Sequence, residues 1–338
     1  MSQTIYNNTI LENKYNSVLT TKLNIQNYLT VDNDLQQDAG MTKRIITKTV
    51  SGSVEDLSQG NGNSQTVEVG TSYADYNVGV TQGRFVYYDE EAMADGALVD
   101  AGITGLGEKM VNDFVAKAVD EWRKATLQQG YSSISFDTVV DAIAKLNLED
   151  ESPLFMLISP NMVAAFRKAV KDELKYSEGF TRTGYLGSLV GVPCYVSKAI
   201  PNGEAIVASK EAVRLFIKKD TEIEQERDAN TRKNTVYARK TALVALVDAT
   251  KVCRIAANPT TAATITTYTK NAKTVAGAAT TGATVEVYIN GEYDGSATAA
   301  SSAYSYTAKA NLAANDVVKV IAKISGEVDS TASVTVAA

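Results

Sequence analysis

The sequence predicts an α+β fold for residues 1–257, followed by a separate all-β domain. Between residues 41 and 257, strand-like and helix-like segments are mixed without the regular strand–helix–strand order of a doubly wound α/β fold. From Asn258 onward Phe and Trp are absent, Ala and Thr dominate, and short β-like segments recur at regular spacing. A chain of 338 residues is long enough for about two domains of this kind.

The composition excludes several classes of function. The chain has no histidine, which excludes Ser-His-Asp and Cys-His catalysis and every histidine metal site. Its net charge is −6, whereas a dedicated nucleic-acid binder usually carries a clustered positive charge. Neither a signal peptide nor an apolar run of about 18 residues is present, so we expect a chain that folds in a cytoplasm-like compartment and spans no membrane. We therefore expect no cofactor and no enzymatic activity.

The two cysteines are expected to be structural. Cys194 and Cys253 both lie in apolar, strand-like segments. That setting favours buried free thiols over a disulfide or a nucleophile.

Two N-terminal segments carry too little apolar surface to form a core. Residues 1–40 are polar and rich in Asn, Gln and Thr, which indicates an extended arm that packs on a partner, with a disordered tail as the alternative. Residues 41–88 predict a long hairpin with a tip dense in Gly, Asn and Ser and a return limb that alternates at Val67 and Val69. Because a two-stranded ribbon is marginally stable alone, we expect it to rest on another copy of the chain.

Two helices are predicted in the middle of the chain. Residues 106–127 carry a wide apolar stripe at successive i+4 steps, formed by Leu106, Met110, Phe114, Ala118 and Trp122. Residues 135–148 carry a second stripe, formed by Phe136, Val139, Val140, Ile143 and Leu146.

A continuous apolar run, residues 154–158, predicts a strand covered on both faces. It leads into a helix that Ser159 caps and Pro160 opens. Further strands are predicted at residues 192–196, 205–207, 213–217 and 236–247, closing near Ile255.

The run T-E-I-E-Q-E-R-D places Glu222, Glu224 and Glu226 on one face of a strand. Three interpretations remain open. The carboxylates could bind a hard cation, pair with basic residues within or between subunits, or be solvated. The basic residues nearby in sequence are Arg227, Arg232, Lys233, Arg239 and Lys240.

The C-terminal segment predicts a small β-sandwich, residues 268–338, after a linker at residues 258–267. Asn290-Gly291 is a hairpin-turn signal between two of its strands. The predicted strands are residues 274–276, 285–289, 304–307, 317–321 and 332–336.

The order of these features resembles the major capsid proteins of tailed bacteriophages with the HK97 fold. The resemblance rests on L-F-M-L-I-S-P-N-M-V-A-A-F-R-K-A, then G-Y-L-G-S-L-V-G-V-P-C-Y-V-S-K-A-I-P, and a closing Y-A-R-K-T-A-L-V-A-L-V-D. It implies an N-terminal arm at residues 1–40, an E-loop hairpin at 41–88, and peripheral and axial domains with a spine helix at 89–257. The C-terminal T-T-G-A-T-V-E-V-Y-I-N-G-E-Y-D-G-S-A-T resembles bacterial Ig-like domains.

The resemblance implies a structural protein of the virion. Many copies would form an icosahedral shell around double-stranded DNA, with weak, non-specific DNA contact, after assembly in the bacterial host cytoplasm. Since about 40 residues precede the hairpin, a separate scaffolding protein is implied, together with a portal protein. The Ig-like domain would project outward as decoration or bind host-surface glycans.

The residues expected to make intersubunit contacts are Lys43, Lys48, Val67, Val69, Glu222, Glu224, Glu226 and Arg227. Lys43 and Lys48 lie on a hairpin limb and none lies at the tip, so the Lys–Asn crosslinking of some relatives is not carried over. The alternatives are an encapsulin-type compartment shell, a cell-surface Ig-like adhesin with an α+β head, and a hydrolase with paired carboxylates.

Overall fold

The computed structural model describes residues 28–36, 40–57, 59, 62–148, 154–169, 188–189, 191–266 and 268–338. Most of the predicted arm, and residues 170–187, lie outside the described residues.

The described helices and strands alternate irregularly, as expected of an α+β fold. The helices are α1 (Asp89–Ala94), α2 (Leu98–Arg123), α3 (Phe136–Leu146) and α4 (Pro160–Ala169). The strands are β1 (Thr30–Asp32), β2 (Thr42–Ser51), β3 (Glu68–Asn77), β4 (Gly79–Tyr88), β5 (Leu127–Tyr131), β6 (Leu154–Ile158), β7 (Ser188–Leu189), β8 (Val192–Val196), β9 (Ala205–Ser209), β10 (Val213–Asp228), β11 (Lys233–Leu246), β12 (Val252–Ala257), β13 (Thr274–Ala278), β14 (Thr284–Ile289), β15 (Glu292–Thr298), β16 (Ala303–Thr307), β17 (Val317–Lys323) and β18 (Ser330–Thr335).

The chain divides into two compact units. The first is drawn from residues 1–124 and 209–251, and the second from residues 125–208 and 252–338. Among the described residues, no helix is both long enough and apolar enough to cross a membrane.

The first unit is built on a four-stranded sheet of order β1–β10–β11–β4. β10, β11 and β4 are antiparallel neighbours, and β1 adds a short parallel pairing at the start of β10. The long helix α2 packs on this sheet. Two glycines let α2 and β4 approach closely. The Leu106 side chain of α2 occupies the space above Gly83 of β4, and the Phe85 ring of β4 occupies the space above Gly102 of α2.

Helix α2 differs at both ends from the predicted residues 106–127. It begins at Leu98, because Val99 and Ile103 are buried and continue the apolar stripe. This burial outweighs the low helix propensity of Gly102, which lies between them. It ends at Arg123, because Leu127 already belongs to β5 and pairs with β12. Trp122 is 1% exposed, which confirms it as a core anchor.

The two glycines of α2 at positions 102 and 105 give a matched pair of stability predictions. Gly102→Ala should destabilise the protein by about 1–3 kcal/mol, because the new Cβ overlaps the Phe85 ring. Gly105→Ala meets no atom within 4 Å and should stabilise the same helix by about 0.5–1 kcal/mol. Urea denaturation midpoints of the two variants check this. Equal midpoints would contradict the packing of Phe85 on α2.

Residues 79–88, predicted as part of the hairpin's return limb, form β4 and pair with β11 instead. The hairpin itself is the separate two-stranded sheet of β2 and β3. The chain changes sheets at Val78, which is buried, and the β4 residues Phe85 and Tyr87 then pack toward the core rather than extending the ribbon.

The second unit contains a six-stranded mixed sheet of order β5–β12–β9–β6–β8–β7. β6 is buried at every residue, as its apolar run predicts. The hydrophobic core beside this sheet includes Val139 and Ile143 of α3 and Phe166 of α4. Ser135 caps α3 by accepting a hydrogen bond from the Thr138 amide, and Asn147 ends the helix with a φ of 47°.

Both cysteines are free thiols, as predicted, but only one is fully buried. Burial raises the pKa of the Cys253 thiol to about 11. Cys194 is half-buried in β8, close to the end of the sheet.

The C-terminal β domain also lies in the second unit. It has a two-stranded sheet, β13–β16, and a four-stranded sheet of order β15–β14–β17–β18. Asn290 and Gly291 form the predicted turn with φ values of 54° and 86°, but the turn leads into β15. β15 was not predicted, because E-Y-D-G-S-A-T is mostly polar and the segment forms a strand by pairing with β14.

The predicted linker packs as part of the β domain. The Thr264 and Thr266 amides donate hydrogen bonds to carbonyls of β13, each at 3.0 Å, and Ala263 is buried in the domain core. These main-chain bonds attach the segment to β13, which its Ala- and Thr-rich composition does not reveal.

Candidate assembly surface

The β2–β3 hairpin has two chemically different faces. Residues directly opposite each other in an antiparallel pair point to the same side, so the register sorts the side chains. One side, called here the apolar face, carries the pairs Arg44–Asp75, Ile46–Tyr73, Lys48–Thr71 and Val50–Val69. The other side carries Lys43, Ile45, Thr47 and Thr49 with their opposites.

The apolar face is open to solvent along most of its length. Ile46, Val50, Val69 and Tyr73 are 56%, 67%, 58% and 67% exposed. These side chains form two apolar pairs, Ile46–Tyr73 and Val50–Val69, with Lys48–Thr71 between them. Exposed apolar surface on one side of a ribbon is typical of a protein–protein interface. The hairpin therefore presents an apolar surface that the described part of the chain leaves exposed.

The other face attaches the base of the hairpin to the first unit. Ile45 is buried in a cluster with Phe216 and Leu243. The Lys43 ammonium lies 5.3 Å from the centroid of the Phe216 ring, a cation–π geometry. Since these contacts lie at the start of β2, the base is anchored while the remainder stays exposed.

A second attachment involves Tyr76 and the C-terminal end of α2. Burial, and then the nearby Glu121 carboxylate, raise the pKa of Tyr76. Glu121 is 9% exposed, pairs with Lys124 and accepts a hydrogen bond from the Leu246 amide at 3.2 Å. The carboxylate thus links the hairpin base, the helix and β11.

Local contacts stiffen the exposed part of the hairpin. Arg44 donates two hydrogen bonds to Asp75, at 2.7 and 2.8 Å, and this pair raises the pKa of Arg44 and lowers that of Asp75. Near the tip, the Glu55 carboxylate accepts hydrogen bonds from Ser64 and from the Gln65 amide, which lower the pKa of Glu55. The apolar face is therefore held on a braced ribbon.

The carboxylates of β10 lie on the sheet face that points away from α2. Thr81, Gly83 and Phe85 contact the helix or its side chains, so Gln82 and Arg84 face the other way. The register aligns Glu222 with Arg239 and Gln82 in one row across the three strands.

Two of the three predicted carboxylates, Glu222 and Glu224, form ion pairs within the chain, and so does Arg227. Glu222 accepts a hydrogen bond from Arg239 at 3.1 Å and also pairs with Lys219, and the contact with Lys219 is the main cause that lowers the pKa of Glu222. Glu224 pairs with Arg239 as well, and Arg227 lies 2.8 Å from Asp89. No metal-holding cluster of His, Cys, Asp or Glu occurs in the part of the chain that the structure describes.

The predicted contact residues thus fall into three places. Lys48 and Val69 lie on the apolar face, and exposed Val67 precedes β3. Lys43 lies at the hairpin base, and Glu226, whose carboxylate accepts a hydrogen bond from the Tyr237 hydroxyl at 3.4 Å, lies on β10 with Glu222. The predicted contact residues omit Ile46, Val50 and Tyr73, although the alternation of β2 carries a signal for the first two.

Solved structures of capsids and of a virus-like particle match the fold of this chain. The capsid protein of a native GTA particle has a TM-score of 0.59 at 10% identity, over 69% of this chain and 89% of that one. The mature capsid of bacteriophage PhiM1 has a TM-score of 0.54 at 12% identity, over 68% and 85%. The virus-like particle from Pyrococcus furiosus has a TM-score of 0.52 at 12% identity, over 73% and 98%.

One curated relative extends the similarity to sequence. The major capsid protein of Staphylococcus phage phiMR11 is 31% identical over 124 residues, which cover 34% of this chain and 43% of the relative. The match thus spans less than half the length of that protein. No protein-family model matches the chain. The similarities confirm the predicted capsid fold and the resemblance to phage major capsid proteins.

Proposed function

We propose that this chain is a major capsid protein whose copies assemble into an icosahedral shell around the double-stranded DNA of a tailed bacteriophage. The observation that carries the proposal is the hairpin: its base is anchored in the first unit, while its apolar face is left exposed on a braced ribbon. The described residues of the same chain leave that face exposed, and a neighbouring copy can cover it.

Assembly on this account is driven by burial between subunits. Removing apolar surface from water contributes about 25 cal/mol per Å², so even a modest contact at each hairpin adds up over many copies. Lys43, Lys48, Val67, Val69, Glu222, Glu224, Glu226 and Arg227 remain the proposed intersubunit contacts. Glu222, Glu224 and Arg227 already have partners within the chain, so they would add charge complementarity at a surface more than binding energy.

The proposal includes partners and a location. A separate scaffolding protein would guide assembly in the bacterial host cytoplasm, and a portal protein would occupy one vertex of the shell. The mature protein would reside in the virion, with weak, non-specific contact to packaged DNA, as suits a net charge of −6. The Ig-like β domain would face outward, as decoration or as a binder of host-surface glycans.

Electron microscopy of the purified protein and its contents tests the proposal. We expect closed icosahedral particles, and particles recovered from infected cells should contain nuclease-protected double-stranded DNA. The similarity to the Pyrococcus furiosus particle keeps a compartment shell as the second candidate. Particles that hold a packaged enzyme and no DNA would favour that candidate. A monomer that binds cell surfaces would instead favour an adhesin.

A further inference from the structure

The C-terminal β domain is joined to the six-stranded sheet by main-chain hydrogen bonds. The Ala257 amide at the end of β12 donates to the Gly326 carbonyl at 3.0 Å, and the Val328 amide donates back to the Ala257 carbonyl at 2.8 Å. Ala257 and Glu327 form a parallel bridge. The segment between β17 and β18 therefore continues the pairing of a strand that belongs to the sheet.

A buried arginine lies at the centre of this junction. Arg254 of β12 is 3% exposed, and its guanidinium donates to Glu204 and to Asp329, each at 3.1 Å, and to the Glu327 carbonyl. Glu204, in the turn before β9, is fully buried and accepts a second hydrogen bond from the Gly326 amide at 2.7 Å. One guanidinium thus bridges a carboxylate of the sheet and a carboxylate of the β domain.

Strand β5 supplies further contacts beside Arg254. The Asp329 amide donates to the Gln128 side chain at 2.7 Å, and the Asn258 amide donates to the Tyr131 carbonyl at 2.9 Å. A Cβ at Gly130 would overlap the Asn258 side chain, so the two segments are in close contact. The junction therefore covers both β5 and β12.

The segment that connects the sheet to the β domain is hydrogen-bonded along most of its length. Its first residue, Asn258, is held by β5, and Thr260 donates to the Glu327 carboxylate at 2.6 Å. The Thr261 amide donates to the Thr280 hydroxyl at 3.0 Å. Thr264 then pairs with β13, so almost every step of the segment is bonded to one side or the other.

We propose that the β domain is a fixed extension of the six-stranded sheet, locked in one orientation by Arg254, rather than an appendage on a flexible linker. Any surface that the β domain displays would then have a constant direction relative to that sheet. This inference concerns one chain and holds whether or not the chain forms a phage shell. Its failure would therefore leave the proposed function untouched.

Hydrogen exchange of the full-length protein, read by mass spectrometry, tests the proposal. The amides of Gly326, Val328 and Asp329 should be protected in the unmodified protein to a degree comparable with the amides of β12. Arg254→Met leaves Glu204 buried without its guanidinium and should speed exchange at these amides by about 100-fold. β14 and β17 should keep their protection, which separates undocking from unfolding.

Two further variants keep the test decisive. Asp329→Asn removes one charge of the junction and should give a smaller acceleration at the same amides. Asp316→Asn makes the same chemical change inside the β domain, where Asp316 accepts a hydrogen bond from Asn290 at the opposite end of β17 from the junction, and should leave them unchanged. Junction amides that exchange freely in the unmodified protein, while β14 and β17 are protected, would overturn the proposal and show a tethered domain.

Discussion

Replacing Tyr73 by aspartate should abolish shell assembly and leave the subunit folded. Tyr73 is 67% exposed on the apolar face, so its loss costs the isolated chain little. In a shell the same side chain is buried against a neighbour, where a tyrosine contributes about 1.5–3 kcal/mol and an aspartate would have to be desolvated. The protein concentration needed for assembly should therefore rise by about 100-fold or more, since 1.4 kcal/mol corresponds to about tenfold. Light scattering during assembly measures this.

The hairpin provides its own control. Thr47 is exposed on the neighbouring strand β2, but on the opposite face of the hairpin, across from Ser72. Thr47→Asp adds the same charge to the same ribbon and should assemble nearly as the unmodified chain does. Ile46→Asp, beside Tyr73, should reproduce the Tyr73→Asp defect. Equal assembly of Tyr73→Asp and Thr47→Asp would show that the apolar face is not an interface.

The second large effect is expected at Glu204 and Arg254. Removing one member of a buried ion pair leaves the other charge uncompensated, which costs about 3–5 kcal/mol. Arg254→Met and Glu204→Leu should each lower the free energy of unfolding by about that amount, and the double variant should recover much of the loss. A double-mutant cycle should then give a coupling energy of about 2 kcal/mol or more.

The cycle is best measured in the Tyr73→Asp background, where assembly does not contribute to stability. Lys323 and Glu286 form the matched control pair, at 2.8 Å with side chains 44% and 23% exposed. Exposed ion pairs contribute about 0–1 kcal/mol, so this coupling should be small. A Glu204–Arg254 coupling no larger than the control would contradict the burial of the junction.

The sequence was most informative where burial fixes the pattern of side chains. The all-apolar β6 and the capped helix α3 lie where the sequence predicts them, because a strand covered on both faces and a Ser-initiated helix each have a local signature. β15 has no such signature, since its seven residues are mostly polar and its pairing with β14 defines it.

The assembly surface was only partly predictable. The sequence indicates that the hairpin lacks a core, but which residues share a face depends on the register between β2 and β3. Tyr73 becomes a neighbour of Ile46 only through a pairing across 27 positions of chain, so neither strand reveals the patch alone.

The sequence of β12 contains one sign of the junction with the β domain, which the prediction of a linker at residues 258–267 did not take into account. Arg254 interrupts the otherwise apolar strand V-C-R-I-A-A, and a charge in a buried strand requires a partner. Its partners Glu204 and Asp329 are 50 and 75 positions away, so the sequence shows the need for a partner without showing which one.

The mass of the purified full-length protein in solution tests the central claim most directly. Light scattering across a concentration series, with and without a crowding polymer, distinguishes a subunit of 36.1 kDa from a closed shell of many copies. We expect a cooperative transition to particles of uniform, far larger mass, and no such transition for Tyr73→Asp. A chain that remains a stable 36.1-kDa monomer under all these conditions would contradict the proposal that burial between copies of this chain drives its assembly into a shell.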